Sequence, residues 1–227
     1  GLSRVADIIS AHSYFTTSPL SRSVEMRTML AYTISRISGL RFWQSEYCIL
    51  GDNSGEINGS KRDLGMDAAL YMAGVIHNDL TVANASAWQW WMALSPYDYK
   101  DGLIYIDKEK AGGNFYPGKM LWALGNYSRF IRPGAVRLSA AIEGMQTTNK
   151  PVFVSAYKKG KAFTMVIINS NDDPVRVKLY INSGQISLHR SYVTSETSDL
   201  KAGLLEPNGD EIDIAGRSVT SITGIIK

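Results

Sequence analysis

Apolar runs and helical patterns alternate through residues 1–134. Three short apolar runs read as strands, and the two segments between them repeat their apolar residues every three to four positions, as amphipathic helices do. In chain order the five segments are "VADIISAHSYF", "SVEMRTMLAYTISRISG", "LRFWQSEYCIL", "KRDLGMDAALYMAGVIHNDL" and "ASAWQWWMAL". This strand-helix alternation predicts parallel strands with helices packed outside them.

The first of the two helices has the clearest boundaries. We predict Ser23 as its N-cap and Gly39 as its end. Glu25 falls in the exposed phase of this helix. The predicted apolar face consists of Met26, Leu30, Ile34 and Ile37.

The pattern changes at about Ala135. From there to residue 227, apolar and polar residues alternate in short segments separated by turn residues, which is typical of an antiparallel β-sandwich. A turn at Lys159-Gly160 divides the first of these segments into a hairpin. The segments are "PVFVSAYKKGKAFTMVIINS", "PVRVKLYIN", "ISLHRSYVTS" and "SVTSITGIIK". We therefore predict two domains, residues 1–134 and residues 135–227.

The first domain is too short for a complete barrel of its pattern. An eight-stranded (β/α)8 barrel needs about 250 residues, and residues 1–134 supply three strands. Two interpretations remain: a small three-stranded α/β domain, or the closing part of a barrel whose earlier strands belong to another segment of the protein.

Composition excludes several classes of function. The chain is 44% hydrophobic and 20% charged, as soluble globular proteins are. Its net charge is +3 and its basic residues are scattered, which argues against nucleic-acid binding. No segment is apolar over the length of a membrane span. His12, His77 and His189 lie in different elements, so we predict neither a metal nor a cofactor.

Polar and aromatic residues collect at the ends of the three predicted strands. His12 and Tyr14 end the first strand, Glu46 lies near the end of the second, and Trp88 and Trp90 share a face of the third. A regular pleat also puts Gln44 and Cys48 on the Glu46 face.

This combination suits carbohydrate chemistry. Aromatic faces pack against the C–H face of a sugar, and a carboxylate attacks or stabilises the anomeric carbon. The alternatives are that the Trp residues fill a core and that His12 has a structural role. Glu46 is harder to explain by structure alone, since burying a carboxylate costs several kcal/mol unless it is paired.

The order of five segments resembles the last part of glycoside hydrolase family 30, which includes glucosylceramidase and β-1,6-glycanases. The segments are "DIISAHSYF", "FWQSEYCILGD", "WQWWMALSP", "GLIYID" and "LWALGNYSRFIRPGAVRL". The resemblance covers essentially the whole chain. It implies the last three strand-helix units of a (β/α)8 TIM barrel, strands 6 to 8, followed by an antiparallel β-sandwich.

The resemblance also implies roles for the candidate residues. Glu46 resembles the family's catalytic nucleophile, and His12 and Tyr14 resemble residues that line the subsite of the reacting sugar, with Tyr14 in hydrogen-bond reach of Glu46. Trp90, or else Trp88, resembles the aromatic floor of that subsite. Trp91 is expected to point the other way, into packing against helices.

One part of the family's machinery has no counterpart in this sequence. Retaining hydrolysis needs a second carboxyl group as acid/base, which in this family lies in an Asn-Glu-Pro-like motif upstream of the nucleophile. Glu25 does not fit, and Glu206-Pro207 lies in the predicted sandwich, where we interpret it as a turn. The chain is therefore expected to need the upstream barrel portion and to be inactive alone.

Two functions remain in view. The first is a retaining hydrolase of a β-linked glycan, with galactan or glucan as the predicted substrate. The second is a non-catalytic carbohydrate-binding protein with a degenerate barrel. Either function implies a secreted, periplasmic or cell-surface protein.

Overall fold

The chain is described by a computed structural model that divides into two compact units. The described residues are 7–143, 150–180, 185–205 and 211–227. The first unit comprises Gly1–Leu64 and Gly74–Gly118. The second comprises Gly65–Ala73 and Lys119–Lys227. None of the described helices combines the length and the apolar character needed to cross a membrane.

The first unit is built on a parallel sheet with helices between its strands. Its elements in chain order are β1 (Ile8–His12), α1 (Leu20–Ser35), β2 (Arg41–Tyr47), α2 (Met66–Thr81, whose residues up to Ala73 belong to the second unit), β3 (Ala87–Trp90), β4 (Leu94–Ser95), β5 (Ile104–Ile106) and β6 (Phe115–Pro117). The sheet has the order β1-β2-β3 and both of its pairs are parallel. This confirms the predicted alternation of strands and helices.

The segment after β3 contains a second, smaller sheet that the sequence analysis did not predict. Its order is β4-β5-β6, with β4 and β5 parallel and β5 and β6 antiparallel. These strands have two or three residues each, too few for a period-2 pattern to be recognised.

Helix α1 begins earlier than predicted. Its N-cap is Pro19, which has extended backbone angles, and its C-cap is Arg36. Ser23 lies inside the first turn, where its amide donates to the Pro19 carbonyl at 3.0 Å. The prediction of Ser23 as the N-cap was therefore wrong. Gly39 has a φ of 77° and belongs to the turn that follows the helix instead of ending it.

The buried face of α1 also differs from the prediction. Its fully buried positions include Ser23 and Arg27, while Met26 is exposed. Leu30, Ile34 and Ile37 are half-buried, and Glu25 is exposed as expected. The prediction failed because it assigned polar residues to solvent, whereas a charged side chain can be buried when a partner of opposite charge compensates its desolvation.

The second unit is mainly antiparallel. Its remaining elements are α3 (Lys119–Ser128), β7 (Val136–Leu138), β8 (Val152–Lys159), β9 (Ala162–Asn169), β10 (Val175–Lys178), β11 (Ile186–Ser195), β12 (Ser198–Leu204), β13 (Glu211–Ile214) and β14 (Ser218–Ile226). A six-stranded sheet has the order β12-β11-β14-β9-β8-β7, and β10 pairs with β13. All of these pairs are antiparallel.

Both sheets of the second unit contribute to one hydrophobic core. Buried side chains of β8, β9 and β14 pack with Ile212 and Ile214 of β13, and the partly buried Val175 and Val177 of β10 pack against them. The predicted hairpin is present, since Lys159 pairs with Ala162 across Gly160, whose φ is 57°. Strands β12 and β13 were not predicted, because their short segments carry several charged residues.

Asn126 of α3 connects that helix to the six-stranded sheet. Its side chain is fully buried and donates to the Tyr192 carbonyl and to Ser221 Oγ, both at 2.9 Å. It also accepts from Thr194 Oγ1 at 2.7 Å, and the Asn126 carbonyl accepts from Ser221 Oγ at 2.6 Å. The polar groups of this buried contact are therefore mutually satisfied.

We expect Asn126→Leu to destabilise the protein by about 2 to 4 kcal/mol, because buried hydroxyl and carbonyl groups lose their partners without regaining water. Urea unfolding measures the change. The exposed Gln185 provides the control, and Gln185→Ala should change stability by less than about 0.5 kcal/mol. Equal effects of the two substitutions would show that the Asn126 contacts contribute no net stability.

Candidate active site

Strand β2 contains one more residue than either neighbour can match. Ala11 of β1 pairs with Gln44 and the next residue, His12, pairs with Glu46. On the other side Trp88 pairs with Gln44 and Trp90 pairs with Tyr47. Both registers therefore shift within the same stretch of β2, as they do at a β-bulge, an irregularity that re-aims side chains near active sites.

The bulge changes the predicted phase of the strand. Phe42 and Gln44 are buried, but so are the consecutive residues Tyr47 and Cys48. The side-chain amide nitrogen of Gln44, Nε2, donates to the Glu46 backbone carbonyl at 3.1 Å and to Ser13 Oγ. The regular pleat that we assumed is therefore interrupted after Gln44. Glu46 and Cys48 do point to the same side, since the Tyr14 hydroxyl contacts both.

The Glu46 carboxylate lies beside the two polar residues predicted to accompany it. The Tyr14 hydroxyl donates to Glu46 Oε1 at 3.1 Å, and His12 Nδ1 is 3.4 Å from the same oxygen. The Glu46 side chain is 29% exposed and the His12 side chain 50%. The carboxylate is thus held by neighbours on one oxygen and retains access to solvent.

Tyr14 is suited to act as a hydrogen-bond donor. Burial raises the pKa of Tyr14 well above its usual range, and the nearby Cys48 and Glu46 raise it further. Its hydroxyl also lies 3.6 Å from Cys48 Sγ. Burial likewise raises the pKa of the Cys48 thiol, with further contributions from Asp101 and Glu46. Tyr14 therefore remains a neutral phenol next to Glu46 across the physiological pH range.

Aromatic rings extend from Tyr14 to β3. The Tyr47 ring lies 5.7 Å from Tyr14, 6.2 Å from Trp88 and 6.0 Å from Trp90, measured between ring centroids. The two indoles are 6.1 Å apart and nearly parallel, with 24° between their planes. Tyr47, which a regular pleat places on the face opposite Glu46, is the centre of this aromatic cluster.

Each indole of the cluster is fixed by a hydrogen bond from its N–H group. Trp88 Nε1 donates to Asp79 Oδ2 at 2.9 Å, and Trp90 Nε1 donates to the Asp101 carbonyl at 2.8 Å. Both side chains are half-buried. The neighbouring Trp91 is 49% exposed, so the prediction that it packs into the interior was wrong.

The structure thus brings the predicted residues His12 and Tyr14 to Glu46. It places Trp88 and Trp90 in the aromatic cluster that reaches Tyr14 through Tyr47. Three other residues of the site were missed, namely Tyr47, Asp79 and Asp101. Tyr47 was missed because of the bulge, and the other two because no local pattern marks a distant hydrogen-bond partner.

Glu206-Pro207 lies outside the described residues. Among the described residues, no group of three or more His, Cys, Asp and Glu side chains could hold a metal ion.

The chemistry available to this arrangement is that of a positioned carboxylate. A neutral phenol donates to one oxygen of Glu46, which orients the group and leaves the other oxygen to react or to bind a cation-like centre. The half-buried indoles, which pack on Tyr47 and through it reach Tyr14, offer apolar surface of the kind that packs on the C–H face of a sugar.

Comparison of the sequence with known proteins finds a glycosyl hydrolase family and a xylanase. The sequence model of O-Glycosyl hydrolase family 30 matches residues 1–105. Glucuronoxylanase XynC of Bacillus subtilis (strain 168) is 30% identical over 137 residues, which are 60% of this chain and 28% of that protein.

Solved structures agree over nearly the whole chain. A conserved exported protein from Bacteroides fragilis matches with a TM-score of 0.80 and 28% identity, covering 96% of this chain and 46% of the other. A GH30 endoxylanase from Clostridium papyrosolvens C71 matches with a TM-score of 0.71 and 24% identity, covering 96% and 49%. The latter likeness shows the fold alone. The chain spans less than half the length of each of these three proteins.

We expect Trp90→Ala to destabilise the protein by about 3 kcal/mol, because it removes a half-buried ring and the hydrogen bond to the Asp101 carbonyl. Trp91→Ala should cost about 1 kcal/mol or less, since half of that ring already contacts solvent. Thermal unfolding of the two variants tests the order. A larger loss for Trp91→Ala would contradict the observed orientation of β3.

Proposed function

Because residues 1–105 belong to glycoside hydrolase family 30, we propose that the longer protein that contains this chain is a retaining glycoside hydrolase with Glu46 as its nucleophile. The observation that supports this most directly is the Glu46 carboxylate, which retains access to solvent and is held on one oxygen by Tyr14 at 3.1 Å. A retaining mechanism uses such a carboxylate to form a covalent glycosyl-enzyme, which water then hydrolyses.

The neighbours of Glu46 take distinct roles in this proposal. The Tyr14 hydroxyl orients the carboxylate for attack on the anomeric carbon. It can keep its hydrogen bond to Glu46 Oε1 while the carboxylate loses its negative charge on forming the covalent bond. His12, with an exposed side chain 3.4 Å from the same oxygen, donates to Glu46 or to a hydroxyl of the bound sugar. Trp90 and Trp88 supply the apolar floor on which the sugar ring packs.

The substrate we propose is xylan, in place of the galactan or glucan predicted from the sequence. The relative that supports this is the glucuronoxylanase of Bacillus subtilis, at 30% identity over 60% of this chain. It does not bear out the glucosylceramidase subtype. The earlier substrate prediction rested on the neutral character of the loops after the strands, and such loops differ widely among enzymes that share a barrel.

The architecture we propose is the closing part of a (β/α)8 barrel, residues 1–134, followed by a β-sandwich, residues 135–227. Strands β1 and β3 form the two edges of the described parallel sheet, and open edges of this kind are normally paired or covered. Val24, Met29 and Tyr32 expose apolar surface on α1. An upstream barrel portion would cover both features and supply the acid/base carboxylate.

We also propose that the protein is secreted or displayed at the cell surface. The support is its likeness to a conserved exported protein, at 28% identity over 96% of this chain. A polymeric glycan cannot enter a cell intact, so its hydrolase acts outside the cytoplasm.

In the longer protein, Glu46→Gln should lower the rate of glucuronoxylan hydrolysis by several orders of magnitude, because the amide cannot act as a nucleophile. Reducing-sugar release measures the rate. Glu25→Gln, at an exposed position of α1, is the matched control and should keep wild-type activity. A Glu46→Gln variant with near-normal turnover would exclude Glu46 as the nucleophile, and a wild-type protein that binds xylan without cleaving it would support a carbohydrate-binding function instead.

The 227-residue chain alone should not hydrolyse glycosides, since the proposal places its acid/base partner in the upstream portion. The assay uses nitrophenyl β-xyloside with the purified chain, compared with the longer protein at equal concentration. Turnover by the chain alone that Glu46→Gln abolishes would show that the second carboxyl group lies within these residues.

A further inference from the structure

An ion pair lies buried behind the aromatic cluster and is not used by the proposed reaction. Arg27 of α1 is 3% exposed and Asp79 of α2 is 1% exposed. Arg27 Nε donates to Asp79 Oδ1 at 2.7 Å. The second oxygen of the same carboxylate accepts from Trp88 Nε1 at 2.9 Å. One carboxylate therefore links a buried guanidinium to an indole of the candidate sugar-binding surface.

We propose that the Arg27–Asp79 pair is a positioning element of the glycan site, in which Asp79 Oδ2 fixes the orientation of the Trp88 indole and, through ring packing, that of Trp90. This inference rests on the function proposed above. Asp79 does not reach the sugar itself; it acts through Trp88.

The geometry leaves the carboxylate little freedom. Arg27 is held independently, because its Nη1 donates to the Thr16 carbonyl at 2.7 Å and lies 3.4 Å from the Ser23 carbonyl. The buried Nη2 has no partner among the described residues. Because the guanidinium is a rigid plane, the contacts of Nη1 also set the direction of the Nε–H bond. That direction places Asp79 Oδ1, and the rigid carboxylate then places Oδ2 opposite the indole N–H group.

The same guanidinium also joins the two halves of the candidate site. Thr16, whose carbonyl it binds, lies two residues after Tyr14, and the Thr16 amide donates to the Ser13 carbonyl at 3.2 Å. Arg27 thus holds the turn that carries Tyr14 while Asp79 holds Trp88. The Ser13–Thr16 turn also has hydrogen bonds of its own, so we expect a change at the pair to affect the Trp88 side of the site more than the Tyr14 side.

A role in stability alone does not account for this pair. Replacing a buried ion pair by apolar residues of similar volume is often neutral or stabilising, so a core at this position does not require charge. The N–H group of Trp88 does require an acceptor, since an unpaired buried donor is costly. An acceptor in one defined place is what orients a ring that could otherwise turn about its side-chain bonds.

The test compares variants of the longer protein. Arg27→Met combined with Asp79→Leu removes the charges and preserves apolar volume. We expect a folded protein whose melting temperature falls by a few degrees, because the Trp88 N–H group loses its acceptor. The KM for glucuronoxylan should rise about three- to tenfold and kcat should stay within about twofold of wild type, as expected when sugar binding is weakened more than chemistry. An unchanged KM in this folded variant would overturn the proposal.

The control removes another ion pair. Arg176 and Asp213 join β10 to β13 through a 2.6 Å contact between exposed side chains. Arg176→Met combined with Asp213→Leu should leave KM and kcat unchanged. A KM increase equal to that of the buried pair would mean that loss of charge, and not of the Trp88 anchor, explains the result, and the proposal would fall.

Trp88→Phe serves as a second variant, because it keeps the pair and a ring and removes only the donor. It should raise KM by a factor similar to that of the double substitution, and adding the double substitution to it should raise KM little further. If the combined variant instead raises KM by the product of the two separate factors, Asp79 does not act through Trp88.

Fluorescence tests the positioning without activity. The difference between each protein and its Trp88→Phe counterpart isolates the emission of Trp88, and acrylamide should quench that emission more strongly once the pair is removed. If the wild-type protein cleaves no xylan, the proposed function fails, while increased quenching still supports the positioning role. Unchanged quenching contradicts that role, whatever the activity.

Discussion

The extra residue in β2 is the constraint on which the rest of the candidate site depends. A central strand that pairs on both sides cannot absorb an insertion at one edge alone, and here the registers against β1 and β3 shift within the same few residues. The shift places the consecutive residues Tyr47 and Cys48 in the interior while Glu46 keeps access to solvent. One irregularity thereby exposes a carboxylate and buries an aromatic ring beside it.

The second constraint is electrostatic and lies in the core of the first unit. Helix α1 turns a charged side chain inward, because Arg27 finds a carboxylate on α2 and a carbonyl in the turn after β1. Burial raises the pKa of Asp79, and the neighbouring Arg27 and Trp88 oppose that rise. The contacts of the Asp79 carboxylate with Arg27 and with the indole N–H group fix the phase of α1 more firmly than its weakly apolar face could.

These two constraints explain how far the sequence predicts the structure. Strand and helix order in the first unit follows from apolar periodicity, and the meeting of His12, Tyr14 and Glu46 follows from parallel strands ending at one edge. The phase of Tyr47 could not be predicted, since a bulge leaves no mark in a single sequence. Asp79 and Asp101 were missed for a different reason: a hydrogen bond to an indole in a neighbouring strand depends on tertiary packing, which no local pattern records.

The distribution of the site along the chain has a further consequence. The described neighbours of Glu46, and the aromatic cluster with its hydrogen-bond partners, all lie between His12 and Asp101, so the geometry around the carboxylate is specified by one contiguous segment. In the proposed enzyme, the residues that determine glycan specificity and protonate the leaving group do not all lie in this segment. In the proposed enzyme, the surroundings of Glu46 can therefore stay constant while the substrate changes, because variation in distant loops does not pass through the bulge or the buried pair.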